Sequence, residues 1–282
     1  MKAVSKTVIA CSIAAASLFG ATANAAVFNP FEVNPLGNFA NFTADKITGN
    51  YSEIATFNED DTFNVSLHWR AGQFVTNGGN DAYDAAVTGL GDSQGYGIYA
   101  LYKASGTVVR NGDGSTTFLF DQAIGSSSLS MYLDVNRNSM VTTRPETGSG
   151  DFVVSNTGDD ILLATGAALD GEGTLDPSLS TCTSTTAPGS NGINCGSFGS
   201  DTSFLLTDDG LDFFVKPFPF YTLSFQSGQL NNFTPSGTQN INGSLDVVFS
   251  APGEVPEPAS VGLLGLGMLG LYAARRRNKK AA

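Results

Sequence analysis

The chain is 282 residues long, 41% hydrophobic and only 14% charged, with 33 glycines and a net charge of −12. Five of its bases cluster at the C-terminal end and two at the N-terminal end, so the stretch between carries seven bases against 26 acids, a net charge near −19. That balance excludes nucleic-acid binding, which needs a basic face, and docking on anionic lipid; it favours solubility and attracts divalent counterions.

Residues 1–25 have the build of a secretory signal helix. Lys2 and Lys6 make a basic start, Thr7 to Gly20 is an apolar and small-residue run, and Ala23 and Ala25 are small at the two positions a signal peptidase reads, which sets cleavage before Ala26. The run is too short for a span, which takes about 20 apolar residues. Cys11 lies inside it, away from the cleavage site, and leaves with the signal.

Residues 26–250 read as one all-β exported domain. Phe63, Val65, Leu67 and Trp69 alternate with Asn64, Ser66, His68 and Arg70, giving one buried and one solvated face. Similar strands are expected over Ile47–Phe57, Ile98–Arg110, Thr116–Asp121, Leu129–Val135, Asp160–Thr165, Ser203–Thr207, Phe220–Gln226 and Ile241–Ser250. Asn77 to Asn80 reads as a loop and Asn111 to Gly114 as a hairpin turn, with a short helix near Asp81–Val87. Many short strands between Gly-rich turns predict an antiparallel β-sandwich or jelly roll.

The candidate chemistry is sparse. His68 is the only histidine, so any Ser-His-Asp centre would have to use it, and no GxSxG elbow accompanies it; it reads as a surface strand residue. Asp134, Asn136 and Asn138 have the first half of a calcium-loop spacing, alternate oxygens on a turn. The second half fails: Ser139 stands where glycine belongs, Pro145 at the twelfth position, and Arg137 adds an unwanted charge. A partial Ca2+ site completed by Asp159 or Asp160 and a plain Asx-type turn are both open. The acid pairs Asp159-Asp160 and Asp208-Asp209 do not by themselves make the facing carboxylates of glycoside hydrolysis. Cys182 and Cys195 flank a Ser/Thr/Gly-rich stretch and read as one disulfide in an oxidising compartment; a metal pair lacks other ligands nearby. In DFFVKPFPFY, prolines break any strand, so some of Phe213, Phe214, Phe218, Phe220 and Tyr221 are expected to be exposed, where they could stack on sugar rings.

Residues 251–282 form a linker and tail. Val255, Pro256, Glu257 and Pro258 hold an acid on extended backbone, because two prolines this close resist helix and strand. Ala259 to Ala274 is uncharged and 16 residues long, roughly 24 Å as a transmembrane helix, short of a bilayer core of about 30 Å. Arg275, Arg276, Arg277, Lys279 and Lys280 follow and fix the cytoplasmic side, which leaves Pro256 to Pro258 on the outer face.

The order VPEP, Gly/Leu helix, Arg cluster resembles the PEP-CTERM family of sorting signals. The resemblance implies an inner-membrane intermediate, recognition by an exosortase, and passage to the cell surface or extracellular matrix of a Gram-negative bacterium. FNPFEVNP, ADKITGNYSE and YTLSFQSGQLNNFTPSGTQNINGSLDVVFS are similar to the flocculation-associated PEP-CTERM proteins, from about Phe28 to the C-terminus. That likeness implies a role in floc or biofilm formation with exopolysaccharide and brings no catalytic motif. Three readings result: a non-enzymatic matrix protein, a carbohydrate-binding module with a specific sugar site, and a secreted carboxylate-dependent glycosidase.

Overall fold

A computed structural model describes residues 28–123, 125–180, 182, 195–227, 230 and 233–250. The signal residues Ala23, Ala25 and Ala26 and the whole sorting tail, from the linker through Lys280, lie outside the described residues. Among the described residues, no helix is long and apolar enough to cross a membrane.

The strands are, in chain order, β1 (Phe31–Val33), β2 (Phe42–Ala44), β3 (Lys46–Phe57), β4 (Thr62–Thr76), β5 (Asp81–Ala82), β6 (Gly97–Arg110), β7 (Thr116–Phe120), β8 (Ser127–Asp134), β9 (Met140–Thr143), β10 (Val153–Ser155), β11 (Ile161–Gly166), β12 (Ala168–Leu175), β13 (Gly196–Thr202), β14 (Leu205–Leu206), β15 (Phe214–Lys216), β16 (Thr222–Ser227) and β17 (Gly237–Ser250). The protein is all-β and antiparallel, as the alternation predicts. The two layers expected of a sandwich are here opposite walls of one closed ring. Its order is β3-β4-β6-β7-β12-β13-β16-β17 and back to β3, every pairing antiparallel. β6 lets the ring close and branch at once: Gly106–Arg110 pair with β7, while Gly97–Ala104 pair with β8, from which β11 and β14 continue outside the ring.

Closure sends one side of every strand into a common core. From β4 these are Phe63, Val65, Leu67 and Trp69, the set that the alternation marks as buried. Trp69 has no exposed surface, and its indole N–H donates to the Leu245 carbonyl at 2.9 Å, so burying this ring leaves no polar atom unpaired. Aromatic clusters close both rims. Near the β3–β4 turn, Phe57, Phe63, Phe118 and Phe233 pack with centroids 5.6–6.2 Å apart. At the other rim the small sheet β15-β1-β2 brings Phe31 against Phe74, Phe214, Phe220 and Phe249 at 4.8–6.4 Å.

Two staves of the ring, β12 and β13, are rich in glycine and serine, and packing explains the glycines of β12. An added Cβ at Gly171 would come within 2.6 Å of the Phe120 ring, and one at Gly173 within 3.3 Å of the Phe118 ring. The glycines are the space into which the β7 aromatics fit; large side chains on one stave are matched by none on its neighbour. Cys182 and Cys195 are joined as a disulfide with a sequence separation of 13 residues. It ties the start of β13 to the preceding loop, and closing a loop of this size stabilises by about 3 kcal/mol in the chain-entropy model. The bond excludes the metal-pair reading.

Gly49 is the tightest point of the β3–β4 contact. A Cβ there would lie 2.4 Å from both the Arg70 carbonyl oxygen and the Trp69 indole nitrogen. Neither can yield, because the first is ladder backbone and the second is pinned to Leu245. Gly49→Ala is expected to lower unfolding free energy by about 1–3 kcal/mol, as overpacking does in closed cores. The urea midpoint of the variant checks this; an unchanged midpoint would show that the ladder yields here.

Candidate functional site

β8 ends at Asp134, and the chain then turns through Asn136 and Arg137, the latter at φ 56°. The fully buried Asp134 carboxylate accepts the N–H groups of Asn138 (3.0 Å) and Ser139 (3.1 Å). Asp159 ends a short 3-10 helix, Thr157–Asp159, and accepts from the Asn136 N–H at 2.9 Å and the Asn138 side-chain amide at 3.4 Å. Asp160 accepts from the Ser139 hydroxyl (2.8 Å) and the Tyr99 hydroxyl (2.6 Å). Burial, then that bond to Asp160, pushes the Tyr99 phenol well above its ordinary range.

Carboxylate oxygens of Asp134, Asp159 and Asp160 all lie within 4.8 Å of one another. The fold therefore brings Asp134 together with the two distant acids that the sequence offered as partners. Asn136 and Asn138 both donate N–H groups to Asp159, the first from its backbone and the second from its side chain, and so brace the acids. Three carboxylates suit a hard cation such as Ca2+. Arg70, whose guanidinium stands 3.8 Å from Asp134, already offsets part of their charge. As folded, the cluster is a hydrogen-bonded brace between the β8 turn and the start of β11.

His68 is not the surface residue that the alternation suggests. It points out of the ring, but Phe152 folds over it at 6.0 Å and Tyr99 lies at 5.9 Å. The segment carrying Phe152 is held to the outer wall by Gly148 N–H to Thr56 (2.9 Å) and by Lys103 to Asp151 (2.9 Å). Burial, helped by Arg70 and Arg144, lowers the imidazole to about 4, so it is neutral at physiological pH. No carboxylate or hydroxyl bonds to it among the described residues, so a triad is not assembled around it. Asp208 and Asp209 occupy the first turn of the helix Asp208–Phe213, capped by Thr207, where negative charge meets the helix dipole. They serve the fold.

Of the aromatics in DFFVKPFPFY, Phe213 and Phe214 are buried and Phe220 and Tyr221 half-buried; Phe218 is 83% exposed. The outer wall over β12, β13 and β16 forms a shallow groove of about 520 Å3 lined by Asp170, Glu172, Asp201, Gln226 and several serines, with Gly199 in its floor. This groove escaped the sequence reading because two of its three strands, β12 and β13, did. Glu53 escaped it too, and its signal was present: it sits at the same parity as Tyr51 and Phe57, on the side of β3 that faces the core.

A family model described as the PEP-CTERM protein-sorting motif matches residues 254–277. The match contains Val255 to Pro258, the apolar segment and Arg275 to Arg277; Lys279 and Lys280 lie just beyond it. It implies an exported, membrane-transiting chain processed by an exosortase, and it speaks for the tail, not the barrel. No curated protein and no solved structure matches the chain.

Proposed function

We propose that this chain is a non-enzymatic surface and matrix protein that promotes floc or biofilm formation together with exopolysaccharide, reaching the cell surface after signal peptidase and exosortase processing. The observation that carries the reading is the sorting motif at residues 254–277. The barrel supports it through its outer wall. The groove over β12, β13 and β16 presents carboxylates, an amide and hydroxyls, the groups that hydrogen-bond sugar hydroxyls. The non-enzymatic part is supported by His68 having no acid partner among the described residues and by Asp159 and Asp160 being engaged in turn bonds.

A carbohydrate-binding module with a specific site is the second reading, favoured by Phe218, whose ring stands 83% exposed and free to stack on a sugar. Phe218→Ala separates the two: loss of most polysaccharide binding favours the module, unchanged binding the distributed wall.

The charge of the exported part dictates how adhesion works. An acidic protein and an acidic polysaccharide repel, although the screening length is only about 8–10 Å at ordinary ionic strength. Contact needs a neutral sugar surface or a bridging cation, and calcium suits bridging because it takes six to eight oxygens flexibly. Flocs of cells carrying the protein are expected to disperse on chelation and to re-form with calcium better than with an equal charge of sodium. A strain lacking the protein provides the baseline and is expected to form few flocs. Normal flocs without the protein would overturn the proposed role; re-formation with sodium as good as with calcium would overturn bridging alone.

A further inference from the structure

The barrel interior holds a group that an apolar core does not tolerate without reason. Glu53 points inward from β3, with Leu67 of β4 and Ile241 of β17 directly opposite it, both buried. It lines a partly open cavity of about 40 Å3, together with Tyr51, Phe57, Phe63, Tyr102 and Phe118. At about 10–15 Å3 per water centre, that is room for three or so waters, or a solute of a few heavy atoms. The Tyr102 hydroxyl is engaged with Ser200 at 3.0 Å. Among the described residues, neither the Glu53 carboxylate nor the Tyr51 hydroxyl takes part in a hydrogen bond, and both open onto this cavity; no fully covered side-chain polar atom lacks a partner.

A carboxylate that faces aromatic rings and has no protein partner is costly to keep charged unless what fills the cavity beside it supplies donors. Leucine in place of Glu53 would finish the wall. Water there supplies donors but no countercharge, and a cation with N–H groups supplies both. An ammonium ion would cancel the carboxylate charge, donate to Glu53 and to the Tyr51 oxygen, and lie against aromatic faces that attract positive charge. Anions are repelled, and a neutral apolar guest leaves the carboxylate as it was. A bare divalent ion would find one carboxylate and two phenols where it requires six to eight oxygens.

We propose that the barrel interior binds a small organic ammonium ion, with Glu53 as its counter-ion and the surrounding rings as its walls. This site is independent of the outer wall and of the adhesion reading. Glu53 needs to be ionised to act. The titratable groups that face it are Tyr51 on its own strand and Tyr102 on β6; burial raises both phenols, Tyr102 to about 12, so neither changes charge in the working range.

The test uses the full chain in neutral detergent with its disulfide intact. Calorimetric titration at pH 8 compares ethylammonium chloride with ethanol and with sodium chloride. Ethylammonium is expected to bind once per chain, at least tenfold tighter than ethanol, with no saturable signal from sodium. Glu53→Gln is expected to abolish that preference while still unfolding cooperatively in urea. Should that variant fail to fold, the wild-type protein at pH 5, with Glu53 protonated, is expected to lose the preference in the same way. Ethanol equal to ethylammonium, a preference that survives both Glu53→Gln and pH 5, or no saturable ethylammonium binding would each overturn the proposal.

Discussion

With Pro256, Glu257 and Pro258 replaced by alanine, the exported protein is expected to stay in the inner membrane with its tail uncut, and the released form to fall to near zero. The reason lies in the division of labour along the tail. From the sequence, the uncharged segment of 16 residues, short for a bilayer, is expected to hold the chain at the membrane and the arginines after it to set the orientation. Neither feature is touched by the substitution. What changes is the short Pro-Glu-Pro piece, which the sequence places on the outer face as an expectation. Two prolines are expected to keep it out of a membrane helix and to leave Glu257 accessible; three alanines, the best helix formers, would let a helix run back through the motif. Membrane insertion then survives while recognition by the exosortase is lost. Fractionation and the mass of the C-terminal peptide decide the outcome. Release of the variant at the processed size would show that the motif is dispensable and that the tail acts only as an anchor.

Strands built from alternating apolar residues were legible in the sequence, and the closed barrel was not. β3, β4, β6, β7, β8 and β17 fall within a few residues of the expected segments, because each carries large apolar residues at every second position. β12 and β13 read as loop because ALDGEGTL and GSFGSDT lack such residues. β12 is a strand because Phe118 and Phe120 of the neighbouring stave fill the space over Gly171 and Gly173, and β13 because it pairs along its length with β12 and β16. Without those two staves no ring can be drawn, and two facing layers are the natural reading. The expected helix near Asp81–Val87 shrinks to Ala85–Thr88, and the helix Asp208–Phe213 was missed because one turn shows no period. The acidic cluster was half legible. Asp134 announces itself by spacing, but that Asn136 and Asn138 turn their N–H groups to Asp159 depends on a contact more than 20 residues away.

Glu53→Gln is expected to make the protein more stable at pH 8, by roughly 3 kcal/mol, and to change little near pH 4.5. Burial raises the Glu53 carboxyl from 4.5 to about 7. The folded state therefore holds a proton that the unfolded chain has released between those two pH values. In that window the folded state binds more protons, so stability falls as pH rises, and the full penalty is present above pH 7. Glutamine has the same shape and no charge, and it resembles the protonated acid. His68 works in the opposite direction. Its lowered value, about 4 against an ordinary 6.5, gives stability that is complete above pH 6.5 and is lost as pH falls toward 4. Between pH 4.5 and 6.5 the two groups offset one another, so the wild-type curve alone would hide both. The difference between the curves of Glu53→Gln and wild type removes His68, which is common to both. That difference is expected to start near zero at pH 4.5, rise through pH 7 and level off by pH 8, as measured by urea unfolding at each pH without added amine. A difference that does not depend on pH, or a variant less stable than wild type at pH 8, would mean that Glu53 finds a donor in solution and is not the unpaired charge its cavity makes it.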